Sequence, residues 1–213
     1  HCKNLFFLRV TNSVDQNSQF NIAKRMLDVI EGDIYPITRG AVEKGNKIFG
    51  GAIIKKYDLS LVVADTNKEI ENPLNHGEIS TLNSFFELPK KGRPKTSDCY
   101  FLSTHEPCSM CLSAITWAGF DNFYYFFSYS DTKDKFDIPY DLKILEKVFD
   151  VRDGNYIGTN IFWKKNNIIE IITKSKKDKS NTYSEQISRI IDLYDSLSNT
   201  YQLSKKSNKI PLP

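Results

Sequence analysis

The chain has 213 residues, 40% of them hydrophobic and 26% charged, with a formal net charge of +3. That length and apolar share suit one compact domain with a sizeable core, or one domain with an appendage. The charge neither demands nor excludes a polyanionic partner, and no window approaches the eighteen consecutive apolar residues of a membrane-spanning helix. The run Leu5-Phe6-Phe7-Leu8 is too short for a signal peptide. Four cysteines, Cys2, Cys99, Cys108 and Cys111, are too few for a disulfide framework in a chain this size. Reduced thiols and a cytoplasmic location are expected.

Phe20, Ala23, Leu27 and Ile30 recur at helical spacing and predict an amphipathic helix over 18–31. A short helix over 38–44 follows, ended by Gly45-Asn46. Residues 50–56 and 59–64 read as strands around a Tyr57-Asp58 turn. Asn72-Pro73 breaks the chain ahead of a helix over 75–88, whose inner face would hold His76, Ile79, Asn83 and Phe86. The segment 90–97, rich in Lys, Gly and Pro, is a surface loop. Residues 99–103 form a third strand. Pro107 suits the first position of the next helix, which carries Cys108, Cys111, Leu112, Ile115 and Ala118 on one face and stops at Gly119. The apolar run 122–128 reads as a strand covered on both sides. A helix is expected over 142–149. Residues 160–163 and 168–173 read as a hairpin or late strands turning at Asn166-Asn167. A Lys-rich linker spans 174–181, and a helix over 184–203 presents Ile187, Ile190, Ile191, Tyr194, Leu197 and Tyr201 as one stripe. The end, from Ser204, should fray. The chain thus divides into a domain over 1–173 and, over 174–213, a linker and helix that pack on that domain or on a partner subunit.

Two stretches carry chemistry. His76-Gly77-Glu78 is an H-x-E, and Pro107-Cys108-Ser109-Met110-Cys111 is a P-C-x-x-C. In this order they form the signature of zinc-dependent deaminases. Zinc takes four tetrahedral ligands, and a catalytic site leaves one to water, whose pKa the ion lowers. Cys108 and Cys111 put two sulfurs on one side of a first helical turn, where free N–H groups and the helix dipole favour thiolates. His76, at the start of its own helix, supplies the third ligand. Glu78 does not bind metal in this arrangement; it carries protons from water to a ring nitrogen and to the departing amine. The competing readings are a closed structural site, with Cys99 or His105 as fourth ligand, and a metal-free redox C-x-x-C. His105 is either a substrate contact or a packed loop histidine, and Glu106 an anion at a helix terminus.

The chain resembles the cytidine/deoxycytidylate deaminase superfamily over about 49–131. The stretch from Ser103 to Gly119 is most similar to the guanine deaminase branch, where E-P-C-P-M-C-L-G-A-I-Y-W-A is typical. Phe49-Gly50-Gly51-Ala52-Ile53-Ile54 resembles that branch's F-G-A-V-I-V, and Asn72-Pro73-Leu74-Asn75-His76-Gly77-Glu78 its D-P-T-A-H-A-E. The resemblance implies a three-layer α/β/α sandwich around a mixed five-stranded sheet, here with a C-terminal helical extension, one catalytic Zn2+ per subunit, and a homodimer or larger oligomer. It implies substrate contacts from Asn67, after the second strand, and Phe49, before the first. His105, by its place beside the motif, and Trp117 are further candidates, Trp117 being otherwise a core residue under its helix. Gly77, Ser109, Ser113 and His105 depart from the branch's usual residues. The implied activity is hydrolytic deamination of a nucleobase, nucleoside or nucleotide, a guanine-type base first. Alternatives are a tRNA adenosine deaminase, a cytidine or deoxycytidylate deaminase, and a non-catalytic zinc-binding interaction module. An RNA substrate would call on the basic loops Lys90, Lys91, Arg93, Lys95 and Lys174, Lys176, Lys177, Lys179; charge runs are more often solvated surface.

Overall fold

A computed structural model describes residues 18–175 and 181–213. Cys2, the N-terminal apolar run, and Lys176, Lys177 and Lys179 lie outside the described residues. Five strands form one sheet in the order β2-β1-β3-β4-β5: β1 Gly50–Lys55, β2 Leu61–Thr66, β3 Cys99–His105, β4 Asn122–Phe127 and β5 Lys164–Asn167. β1 runs antiparallel to β2 and β3, whereas β3, β4 and β5 are parallel, so the sheet is mixed. The parallel joints need crossovers. Helix α4 (Ser109–Trp117) lies between β3 and β4, and α5 (Tyr140–Phe149) between β4 and β5.

Side chains alternate across a strand, and here the alternation builds two cores. Ala52, Ile54, Leu102, Tyr124 and Phe126 face a cluster with residues of α1 (18–29), α6 (Ile168–Lys174) and α7 (Thr182–Ser204). Ile53, Phe101, Phe123 and Tyr125 face the other way, onto α3 (Gly77–Glu87) and α4. The result is the α/β/α sandwich. Every residue of β4 is buried, as its unbroken apolar run requires. Among the described residues no helix is long and apolar enough to cross a membrane.

Several elements differ from expectation. The first two helices are continuous: α1 passes through a π turn, Ile30–Ile34, into α2 (Tyr35–Val42). The inner face of α3 is Gly77, Glu78, Ser80, Thr81, Leu82 and Phe85, not Ile79, Asn83 and Phe86. Its buried polar groups find partners: the Thr81 hydroxyl donates to the Gly77 carbonyl within the helix, and Glu78 accepts from Ser103 on β3. Pro107 lies just outside α4, with Cys108 as its N-cap. The predicted late hairpin is wrong. Lys164–Asn167 is a polar strand parallel to β4, and Ile168 starts a helix, because the Asn167 side chain accepts the Glu170 N–H and caps it. Lys174 belongs to α6.

The C-terminal end does not fray. The Asn208 amide donates to the Gly45 carbonyl, Lys47 Nζ donates to the Leu212 carbonyl at 2.7 Å, and Ile210 is buried. α7 packs its Ile187, Ile190, Tyr194, Leu197 and Tyr201 stripe into the core beside α1 and α6.

Candidate metal centre and its cavity

His76 and Cys108 occupy the N-caps of α3 and α4, so two helix N-termini converge on one point. The Cys108 sulfur is 3.5 Å and the Cys111 sulfur 3.7 Å from His76 Nδ1. The three ligand atoms lie within 4.8 Å of one another. Two thiols and an imidazole nitrogen, gathered at the positive ends of two dipoles, fit a zinc ion. Neither proposed fourth protein ligand is present in the cluster. Cys99 begins β3 and His105 ends it, about 20 Å apart at strand rise. Cys99 sits at the far end of β3, where burial, then Asp98, pushes its thiol up to about 11. Among the described residues a closed structural site is therefore not assembled, and two of the three ligands, His76 and Cys108, line a cavity.

The ligands are electrostatically coupled. A hydrogen bond from Cys111, with His76, draws the Cys108 thiol well down, while burial and Cys108 push Cys111 up. Burial alone would lower His76, but Cys108, Glu69 and Glu78 outweigh it and raise the ring to about 9 in the metal-free chain. Glu78, in the first turn of α3, is buried. Ser103 Oγ donates to its Oε1 at 2.8 Å, and Cys111 Sγ lies 3.4 Å from its Oε2. Burial, then the Cys108 charge, raises its pKa. A carboxyl adjoining the ligands with a raised pKa is suited to taking and returning protons.

Gly77 between them has a steric reason. A Cβ there would lie 2.8 Å from backbone atoms of Phe49 and Gly50, so α3 can approach β1 this closely only without a side chain.

A cavity of about 550 Å3 opens beside His76 and Cys108, within the range of pockets for small molecules. Lys47, Glu69 and Asp141 contribute its other charged groups, and Leu74, Met110, Ile144, Val148 and Phe149 much of its apolar wall. Ile210, Pro211 and Leu212 close one side. Asp141 has no hydrogen-bonding or ionic partner among the described residues. Burial, then Cys108 and Glu78, pushes its pKa well up.

None of the four expected substrate contacts lines this cavity. Asn67 is wholly buried and already partnered: its Oδ1 accepts the Lys47 and Glu69 N–H groups, and its Nδ2 donates to Glu69 Oε1. Phe49 sits in the core, edge-on to the His105 ring. His105 is buried between Phe49, Phe127, Phe136 and Tyr194, and burial lowers its pKa to about 3. It is a core histidine. Trp117 ends α4 with 91% of its surface exposed, away from the cavity. Glu106 is more than a terminal anion. It accepts from Tyr156 and Lys165, tying the Cys108 turn to the segment ahead of β5 and to β5 itself.

Lys47, Glu69, Asp141 and the 210–212 segment escaped sequence reading. They sit in no motif, and only the fold carries them to the metal ligands.

The fold and the site define a zinc-dependent hydrolytic deaminase. Residues 35–127 match the family described as the cytidine and deoxycytidylate deaminase zinc-binding region. No curated protein matches the chain. Among solved structures, a guanine deaminase from Nitrosomonas europaea aligns at 16% identity and a TM-score of 0.50, over 82% of this chain and 84% of that one. A guanine deaminase from Bacillus subtilis aligns at 21% identity and 0.45, over 67% and 87%. A structure from work on tRNA:A34 deaminases aligns at 20% identity and 0.41, over 62% and 92%.

Proposed function

We propose that the protein hydrolytically deaminates a free amino-substituted nucleobase, guanine-type first, with His76, Cys108 and Cys111 as zinc ligands and Glu78 as proton carrier. The observation that carries this reading is the buried Glu78 carboxyl beside the three ligand atoms, next to a cavity of small-molecule size. Zinc held by these residues supplies the Lewis acid that makes water a nucleophile at neutral pH. Water adds to the ring carbon that bears the amine. Glu78 passes one water proton to the adjacent ring nitrogen and the second to the amine. The C–N bond then breaks, ammonia leaves, and the ring carbon becomes a carbonyl. Asp141 faces this chemistry without a partner. The neighbouring N1–H and 2-amino N–H of a guanine-type base are two donors that suit its carboxylate, and accepting them favours its ionised form.

The charges around the cavity favour a base over a nucleotide or tRNA. Among the described residues that line it, the one Lys or Arg is Lys47, which is committed to Glu69 and the Leu212 carbonyl. Arg93 of the first basic loop donates to the Phe86 carbonyl and lies over its ring, at the end of α3 remote from His76. Lys174 of the second pairs with Glu170.

Ammonia release from guanine, guanosine, cytosine, cytidine, deoxycytidylate, adenine and a tRNA tests the reading. Guanine should be turned over and the phosphorylated substrates should not. Preferred turnover of tRNA or deoxycytidylate would replace it. Glu78→Gln should retain zinc by metal analysis and lose about 10²- to 10⁴-fold in turnover; a variant as fast as the parent would remove Glu78 from the mechanism.

A further inference from the structure

Glu69 has no part in the chemistry above, yet its surroundings are the most heavily built near the ligands. His76 turns Nδ1 toward the two sulfurs, leaving Nε2 on the opposite edge of the ring. There Glu69 Oε1 stands 3.7 Å away. The carboxylate is held from two sides: Asn67 Nδ2 donates to Oε1 at 2.7 Å, and Lys47 Nζ meets Oε2 at 2.9 Å. The Glu69 and Lys47 side chains are 2% and 5% exposed. A buried ion pair gains little over well-packed apolar groups of the same size, so packing alone does not account for it. Oε1 retains a second lone pair for the ring N–H.

We propose that Glu69 is a positioning residue for the metal. Its carboxylate stands 3.7 Å from His76 Nε2, within ion-pair range and beyond a formed hydrogen bond, and from there favours the tautomer that presents Nδ1 to zinc, while Lys47 and Asn67 hold the carboxylate in place. Metal-ligating histidines are commonly oriented by such an acceptor, whose loss weakens metal binding. The inference rests on the zinc reading of His76, Cys108 and Cys111. It also accounts for Asn67, which is occupied in holding Glu69 and so does not face the cavity.

The test measures zinc affinity by competition with a chromophoric chelator. Lys47→Met/Glu69→Leu removes both charges together and leaves neither unpaired. Affinity should fall about 10- to 100-fold, with the melting temperature of the metal-free protein within a few degrees of the parent. Lys47→Met/Glu69→Gln restores a neutral acceptor and should recover part of the loss. Affinity within twofold of the parent in the Leu variant, or equal affinities in both, overturns the proposal. A readout on the parent protein stands even if the variants misfold. The chain has three histidines, so the ring nitrogens of zinc-loaded protein can be assigned by 15N NMR. His76 should carry its proton on Nε2 and none on Nδ1; a bare Nε2 overturns the assignment. A parent protein that takes up no zinc would defeat the metal reading itself, and this inference with it.

Discussion

At the scale of single residues, neighbours decide whether a polar group does chemistry or holds structure. His76 and His105 show the contrast. His76 belongs to the H-x-E motif and His105 falls two residues before Pro107; sequence alone leaves His105 open between substrate contact and core. The fold surrounds the ring with aromatic groups, in the core. The Thr104 hydroxyl lies 3.1 Å from the Gly50 carbonyl and 2.9 Å from His105 Nδ1; with its one proton on the carbonyl it accepts from Nδ1–H. Nε2 is left buried and without a partner. The folded state thus keeps this ring neutral down to about pH 3, while the unfolded chain protonates it below its ordinary 6.5. The unfolded state binds the extra proton, so stability falls as pH drops from about 6.5 toward 3, by up to about 1.4 kcal/mol per pH unit. His105→Phe should flatten that part of the acid-denaturation curve, measured by urea unfolding at a series of pH values. An unchanged slope would place the acid sensitivity elsewhere. Asp141 is the opposite case, a carboxyl with a cavity in front of it. Asp141→Asn should retain zinc and lower kcat/KM by about 10- to 100-fold, the worth of hydrogen bonds to a charged group; steady-state kinetics on the preferred base decides it.

Among the elements, those that pattern could specify were legible. β1 to β4 were visible as apolar or alternating runs, and α4 was framed by its cysteines and by Gly119, which takes the left-handed conformation at φ +82. β5 was not, because Lys164-Lys165-Asn166-Asn167 has no strand composition; its place is dictated by pairing with β4. α3 was located, but its rotation was misread, since Ser80 and Thr81 look like surface residues and are buried. That rotation aims Glu78 at the metal ligands, so error there is error about the site. Gly77 is the pivot. Gly77→Ala forces a Cβ against the backbone of Phe49 and Gly50, which should cost about 1–3 kcal/mol as overpacking. Because His76 and Glu78 flank it, zinc affinity should fall along with the melting temperature. Calorimetry with and without added zinc reads both, and a variant matching the parent in each would show that β1 yields freely.

For the molecule as a whole, the ligand set was readable and the cavity was not. Ligands come from two short motifs, whereas the walls come from α5 and the 210–212 segment, far apart in sequence and without recognisable spacing. Removing residues 209–213 deletes the Leu212 carbonyl that Lys47 holds and the buried Ile210. The expected outcome is a higher KM with unchanged zinc content; kinetics and metal analysis of the truncated chain check it, and an unaltered KM would mean that the segment merely covers the cavity. The contact between Lys47 and Leu212 also spans most of the time of synthesis. His76, Cys108 and Cys111 leave the ribosome about a hundred residues before the segment that Lys47 will hold, several seconds at ordinary rates of synthesis. The nascent chain carries every proposed zinc ligand before the last wall of the cavity has been translated.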